Sequence, residues 1–147
     1  MNTIWNLPKV EFKPFSDIQE SQPVIMISSA PAWEAVEKRL EHLPIRTRQD
    51  PMQATIADWD TLISILRPEI EGAENAVVYA VGGGLVVDAA KYIAHKLNLR
   101  LVCLPTALSV DAFLTSASGI RRDGCVYYIE TKPPETLVVD LEVIAAA

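Results

Sequence analysis

Ala76-Val77-Val78-Tyr79-Ala80-Val81-Gly82-Gly83-Gly84-Leu85-Val86-Val87-Asp88-Ala89-Ala90-Lys91 decides the fold. An apolar run of buried-strand type enters a triple-glycine turn and leaves it as a helix. Glycines permit a positive φ where a turn needs it and let the backbone approach a bound anion with no Cβ in the way. The first N–H groups of the following helix lack intrahelical partners and point at the same spot, where the helix dipole favours negative charge. The expected ligand is therefore a phosphate group, cradled by Gly82, Gly83 and Gly84 with the N–H groups of Leu85 and Val86. The pattern is neither Gly-x-Gly-x-x-Gly nor a Walker loop, since no Gly-Lys-Ser/Thr follows.

The helix is expected from about Leu85 to Leu97, with Val86, Ala89, Ala90, Ile93 and Leu97 facing the core and Asp88, Lys91 and His95 on the other side. Upstream, Val24 to Ser28 reads as a buried strand, followed by a helix with Ser29 near its cap, Pro31 in its first turn, and Trp33, Val36, Leu40 and Leu43 on one face. Pro44 stops that helix, and Ile45 to Arg48 reads as a short strand. Asp58 reads as an N-cap, with Trp59, Leu62, Ile63 and Leu66 forming a helical stripe that ends before Pro68. Downstream come a strand from Arg100 to Leu104, a hairpin signal at Arg122-Asp123-Gly124, a strand at Val138-Val139 and a helix from Leu141. Residues 1–21, with Pro8 and Pro14, read as an extended lead-in with one edge strand at most; residues 22–147 form the core. Strands alternating with helices predict an α/β, Rossmann-like parallel sheet with helices on both faces, plus a β-hairpin.

A second block follows the Arg100–Leu104 strand: Leu104-Pro105-Thr106-Ala107-Leu108-Ser109-Val110-Asp111-Ala112. Triple glycine, then Asp-x-Ala-Lys, then Pro-Thr-x-x-Ser-x-Asp-Ala resembles the family of iron-containing alcohol dehydrogenases, glycerol dehydrogenase and glycerol-1-phosphate dehydrogenase. The wider group includes dehydroquinate synthase. The resemblance continues through Ser116-Ala117-Ser118-Gly119-Ile120 and Thr136 to Ala145; it is specific from Val77 onward and weak before about Val24.

The resemblance implies an N-terminal NAD(P)-binding domain over residues 1–147, with the glycine turn on the pyrophosphate. It implies cofactor contacts from Thr106 and Ser109 and, by position only since the residue types differ, from Thr115, Ala117 and Arg121. Thr106 and Ser109 present hydroxyls at a strand end, able to donate to a phosphate, ribose or amide, or to cap the next turn. Asp88 is expected in the first turn of its helix, where the dipole stabilises a carboxylate, or near the nicotinamide. Asp111 is the catalytic candidate: its family counterpart lies beside the substrate hydroxyls and the metal, where a carboxylate can accept a hydrogen bond or relay a proton. Family members carry a further, all-helical domain that supplies an Asp and two His for a divalent metal (zinc or iron), and this sequence is expected to hold the cofactor half without it. A truncated piece, a proteolytic remnant or a broken reading frame would end in this way, and the chain alone is expected to lack turnover. An apolar face is expected where the helical domain would dock, and it could drive self-association into a homo-oligomer.

The implied substrate is a small polyol or polyol phosphate of the glycerol or glycerol-1-phosphate type. A dehydroquinate-synthase-like lyase and a non-catalytic nucleotide-binding domain are the alternatives; Asp88-Ala89-Ala90-Lys91 and Ser109-Val110-Asp111-Ala112 favour the dehydrogenase. The end of the first core strand reads Ser28-Ser29-Ala30, where many NAD-specific domains place an acid on the adenosine ribose. Without that acid NADP is admissible beside NAD.

With 147 residues the chain fits one domain, and half its residues are hydrophobic. A net charge of −6 without a basic cluster argues against nucleic-acid binding. No apolar stretch reaches the length of a membrane span, and Met1-Asn2-Thr3-Ile4-Trp5 has no basic export-type start, so a cytoplasmic chain is expected. Cys103 and Cys125 sit in apolar runs and are expected as buried thiols. His42 and His95 have no second His or Cys at ligand spacing, so no metal ligand is assigned.

Overall fold

The computed structural model describes residues 7–109 and 111–147. The start Met1 to Trp5 and the Val110 of the Ser-Val-Asp motif lie outside the described residues. In chain order the elements are β1 (Lys9–Phe12), β2 (Val24–Ser28), α1 (Ala30–Leu40), β3 (Ile45–Gln49), α2 (Ile56–Glu69), β4 (Val77–Val81) and α3 (Gly84–Leu97). They continue with β5 (Arg100–Cys103), β6 (Ala117–Arg122), β7 (Cys125–Glu130), β8 (Thr136–Val139) and α4 (Leu141–Ala145). Short 3₁₀ turns occupy Phe15–Asp17 and Ala112–Leu114.

Strands covered on both faces read as unbroken apolar runs, and β2 and β4 are buried along their whole length. They sit inside a six-stranded, all-parallel sheet of order β1-β8-β5-β4-β2-β3. Alternate residues face alternate layers. Ile25, Ile27, Val78, Ala80, Leu101 and Cys103 pack under α2 and α3. Val24, Met26, Val77, Tyr79, Val102 and Leu104 pack under α1 and α4. The lead-in contributes β1, the outer strand beside β8. β6 and β7 form an antiparallel hairpin that closes over α3, turning at Asp123 (φ 52°) and Gly124 (φ 75°) as a two-residue primed turn requires.

The helix ends differ from the sequence reading in physical detail. The N-cap of α2 is Thr55, whose Oγ1 accepts the Asp58 N–H at 3.2 Å; Asp58 stands three residues into the motif and accepts the Gln53 N–H. The helix runs one residue past Pro68. An exposed proline in the last turn removes a single donor, and the Ile70 N–H still closes the helix on Leu66 and Arg67. Ser29 is the N-cap of α1 but makes no side-chain cap bond; Asp50, from beyond β3, accepts the Ala30 N–H at 3.1 Å instead. Cys103 is buried, whereas Cys125 is exposed because β7 has only β6 beside it and solvent over its outer face. No helix among the described residues is long and apolar enough to cross a membrane.

Candidate functional site

β2 leads by α1 to β3 on one side, while β4 leads by α3 to β5 on the other, so the strand order reverses between β2 and β4. A crevice opens beyond the carboxyl ends of strands at such a switch point, and ligands of open α/β sheets bind there. Ser28 pairs with Val81, and the Leu104 N–H donates to the Ala80 carbonyl at 2.9 Å. The sequences after β2, β4 and β5 therefore emerge side by side: Ser28-Ser29, the glycine turn and Pro105-Thr106.

Each glycine of the turn has a distinct part. Gly82 holds φ 152°, and a Cβ there would stand 2.7 Å from Cγ2 of Val86. The buried Val86 thus packs directly beneath the turn, and only glycine permits that approach. Gly83, the N-cap of α3, is exposed, and a Cβ on it would meet nothing within 4 Å. Gly84 opens the helix, followed by the partly exposed Leu85. The first turn of α3 contains no acid, so its free N–H groups keep their positive end for an external anion.

Because α3 begins at Gly84, Asp88 lies beyond the first turn, and the dipole is not what holds it. Its partner is Lys91, placed on the polar side of the helix by its spacing but fully buried in the fold. The hairpin and the 112–117 segment cover that side of α3. The Lys91 ammonium lies 3.4 Å from Asp88 Oδ1 and donates to the carbonyls of Ala112 (2.9 Å), Thr115 (3.3 Å) and Ala117, and to Thr115 Oγ1 (3.0 Å). Burial pushes the Asp88 carboxyl up, against the pull of Lys91 and the Gly119 N–H. The same burial pushes the ammonium down, against the pull of Asp88. Ser118 adds a bond to the Asp88 carbonyl at 2.8 Å, tying the hairpin to the same turn of helix.

Asp111 is exposed at the start of the Ala112–Leu114 turn, its side chain free of any cap bond, and its charge reaches both Asp88 and Lys91. Thr106 is half-buried and lines a cleft of about 370 Å³ with Ser29, Pro31, Arg39 and Val143. Ser109 is exposed. The Thr115 hydroxyl is engaged by Lys91, Ala117 contributes a carbonyl to the same ammonium, and the Arg121 N–H pairs with Ala54. The structure thus gathers the glycine turn and Thr106 on adjacent strand ends, and joins Asp88, Thr115 and Ala117 through Lys91. Periodicity missed Lys91 as a buried charge. It also left Arg48 as the end of a short strand, whereas in the fold its Nη1 donates to the Ser28 carbonyl at 3.2 Å and to Ser28 Oγ at 3.1 Å; the Ser-Ser ahead of α1 was the available signal.

The sequence profile of the iron-containing alcohol dehydrogenases matches residues 17–147. The chain belongs to this family. Among curated relatives, a glycerol-1-phosphate dehydrogenase (NAD(P)+) of Metallosphaera sedula is 34% identical over 70 residues, covering 48% of the chain and 20% of that protein. The enzyme of the same name from Saccharolobus islandicus is 23% identical over 132 residues, covering 89% of the chain and 37% of that protein. The crystal structure of glycerol dehydrogenase from Schizosaccharomyces pombe superposes with a TM-score of 0.78 at 22% identity, covering 99% of this chain and 40% of that one. The family fold is therefore present from β1 to α4, and the chain spans less than half the length of these relatives.

Proposed function

We propose that this chain is the dinucleotide-binding half of an NAD(P)-dependent dehydrogenase acting on a small polyol or polyol phosphate. The observation that carries the proposal is the glycine turn: an open space at Gly83, beside the acid-free first turn of α3, at the point where the strand order reverses. The N–H groups of Gly84, Leu85 and Val86 would hold a pyrophosphate there, with Gly82 bringing the backbone close. Thr106 and Ser109, beyond β5, would orient the nicotinamide end. When bound, the dinucleotide supplies hydride chemistry. Asp111 would accept a substrate hydroxyl and take up or relay its proton, while the Lys91 hub fixes the segment carrying it, with Asp88 and Thr115 acting through that lysine. Among the described residues no three His, Cys, Asp or Glu side chains are placed to hold a metal, so these residues do not fit one.

The test is equilibrium titration of the chain with NADH and NADPH, followed by nucleotide fluorescence, for the wild type and Gly83→Asp. The variant has room for its side chain but puts a carboxylate where the phosphate would sit. The expected outcome is saturable binding lost in the variant while its circular dichroism stays native. No binding of either nucleotide to a folded wild-type chain refutes the proposal.

A further inference from the structure

At the carboxyl ends of β2 and β3 a cation stands where an acid would select NAD. Arg48 donates from Nη1 to the carbonyl of Ser28 at 3.2 Å and to its Oγ at 3.1 Å. Its guanidinium lies over the Trp33 ring of α1, 5.9 Å from the centroid. Ser28 is completely buried, so this contact fixes the guanidinium against the strand end. The other arginine of the crevice, Arg39, is occupied by Glu142 at 3.3 Å and Asp140 at 3.7 Å. Arg46 reaches back to the Glu69 carbonyl. Arg48 has no carboxylate within 4 Å among the described residues, and its hydrogen bonds there use one of its nitrogens. The nearby Asp50 carboxylate is turned to the Ala30 N–H, where it caps α1.

In an open α/β sheet the adenosine ribose falls at the end of the strand beside the glycine turn, where an acid binds the 2′-hydroxyl and an arginine accommodates a 2′-phosphate. β2 and β5 both flank β4, and Thr106 and Ser109 follow β5, so the ribose end is assigned to β2, whose Ser28 is the partner of Val81. That strand ends in the buried Ser28 and the half-buried Ser29, with the Arg48 guanidinium bonded to Ser28. A guanidinium offers five donors in a plane that matches phosphate oxygens in pairs, and stacking on an aromatic ring pre-sets its orientation. We propose that Arg48, held by Ser28 and Trp33, receives the 2′-phosphate of NADP and makes this domain select NADP over NAD. The inference rests on the dinucleotide-binding reading above.

The test is titration of the wild type, Arg48→Gln and Arg46→Gln with NADPH and NADH, with circular dichroism as the check on folding. Charge-assisted bonds of this kind correspond to a loss on the order of 10- to 100-fold in NADPH affinity for Arg48→Gln, with NADH affinity nearly unchanged. Arg46→Gln, on the same strand, should leave both affinities unaltered. Adenosine 2′,5′-bisphosphate displacing NADPH at lower concentration than ADP supports the same conclusion without any variant. Equal or tighter binding of NADH by the wild type, or an equal loss of both cofactors in Arg48→Gln, overturns the inference and leaves the dinucleotide reading standing. Failure of the folded wild type to bind either cofactor removes both.

Discussion

Replacing Lys91 with methionine tests whether a buried ammonium holds the 112–117 segment to α3. Methionine matches the lysine stem in length and polarity, so the perturbation is confined to the charged tip. In the native chain that tip is completely buried and serves three carbonyls, the Thr115 hydroxyl and the Asp88 carboxylate. Removing it leaves the carbonyls without their donor and a partly buried carboxylate without its counter-ion. Breaking one side of a buried pair costs about 3–5 kcal/mol, against a total stability of about 5–15 kcal/mol for a domain. For a chain of this size that corresponds to a fall in melting temperature of about 6–20 °C.

The assay is urea unfolding followed by tryptophan fluorescence and far-ultraviolet circular dichroism, at several pH values. Because burial lowers the Lys91 pKa, the unfolded chain binds its proton at pH values where the native state has begun to release it. Stability should therefore rise with pH in the window below the ordinary lysine value of 10.5, and Lys91→Met should lack this component of the rise. The double variant Asp88→Asn/Lys91→Met should recover part of the loss, since it removes both charges. A single variant within about 1 kcal/mol of the wild type, with the same pH slope, would refute the reasoning, because a burial cost with no lost partners does not fit a hub of this geometry.

Other perturbations read the same architecture. Gly82→Ala should lose about 2–4 kcal/mol in thermal or urea unfolding, since φ 152° disfavours any Cβ and the new atom would stand 2.7 Å from Val86; unchanged stability would show that the turn relaxes freely. Under native conditions an aromatic disulfide reagent should modify the exposed Cys125 and spare Cys103, whose thiol is buried and pushed up by desolvation; equal rates at both would contradict that burial. The Tyr92 hydroxyl, which donates to Asp60 at 2.6 Å, is pushed up to about 12, chiefly by burial. The native state keeps this proton where the unfolded chain sheds it, so stability should fall as pH rises from 10.0 to about 12, and Tyr92→Phe should flatten that fall.

What could be read from the sequence was what is local. The apolar run to Val81, the glycines and the 3.6-residue stripe of α3 each specify their own conformation, so the crevice-forming unit was legible without any partner. Lys91 was not, because the surface it occupies is polar by helical spacing and becomes interior only when a hairpin, formed at Asp123-Gly124, folds back over it. Arg48 depends on a subtler long-range event. β3 opens with Ile45 opposite Val24, yet Thr47 lies opposite Ile25, so one residue is skipped between them. Strict alternation from Ile45 would put Thr47 and Gln49 on the α1 side of the sheet and turn Arg48 to the α2–α3 side. The bulge reverses that parity, sets Arg48 opposite Met26, and so delivers its guanidinium to Ser28 and to Trp33 of α1. A single skipped residue in an edge strand thus decides whether the α1 side of that strand end carries a cation or an amide. No periodicity within β3 reveals it, since the bulge exists only relative to the strand alongside.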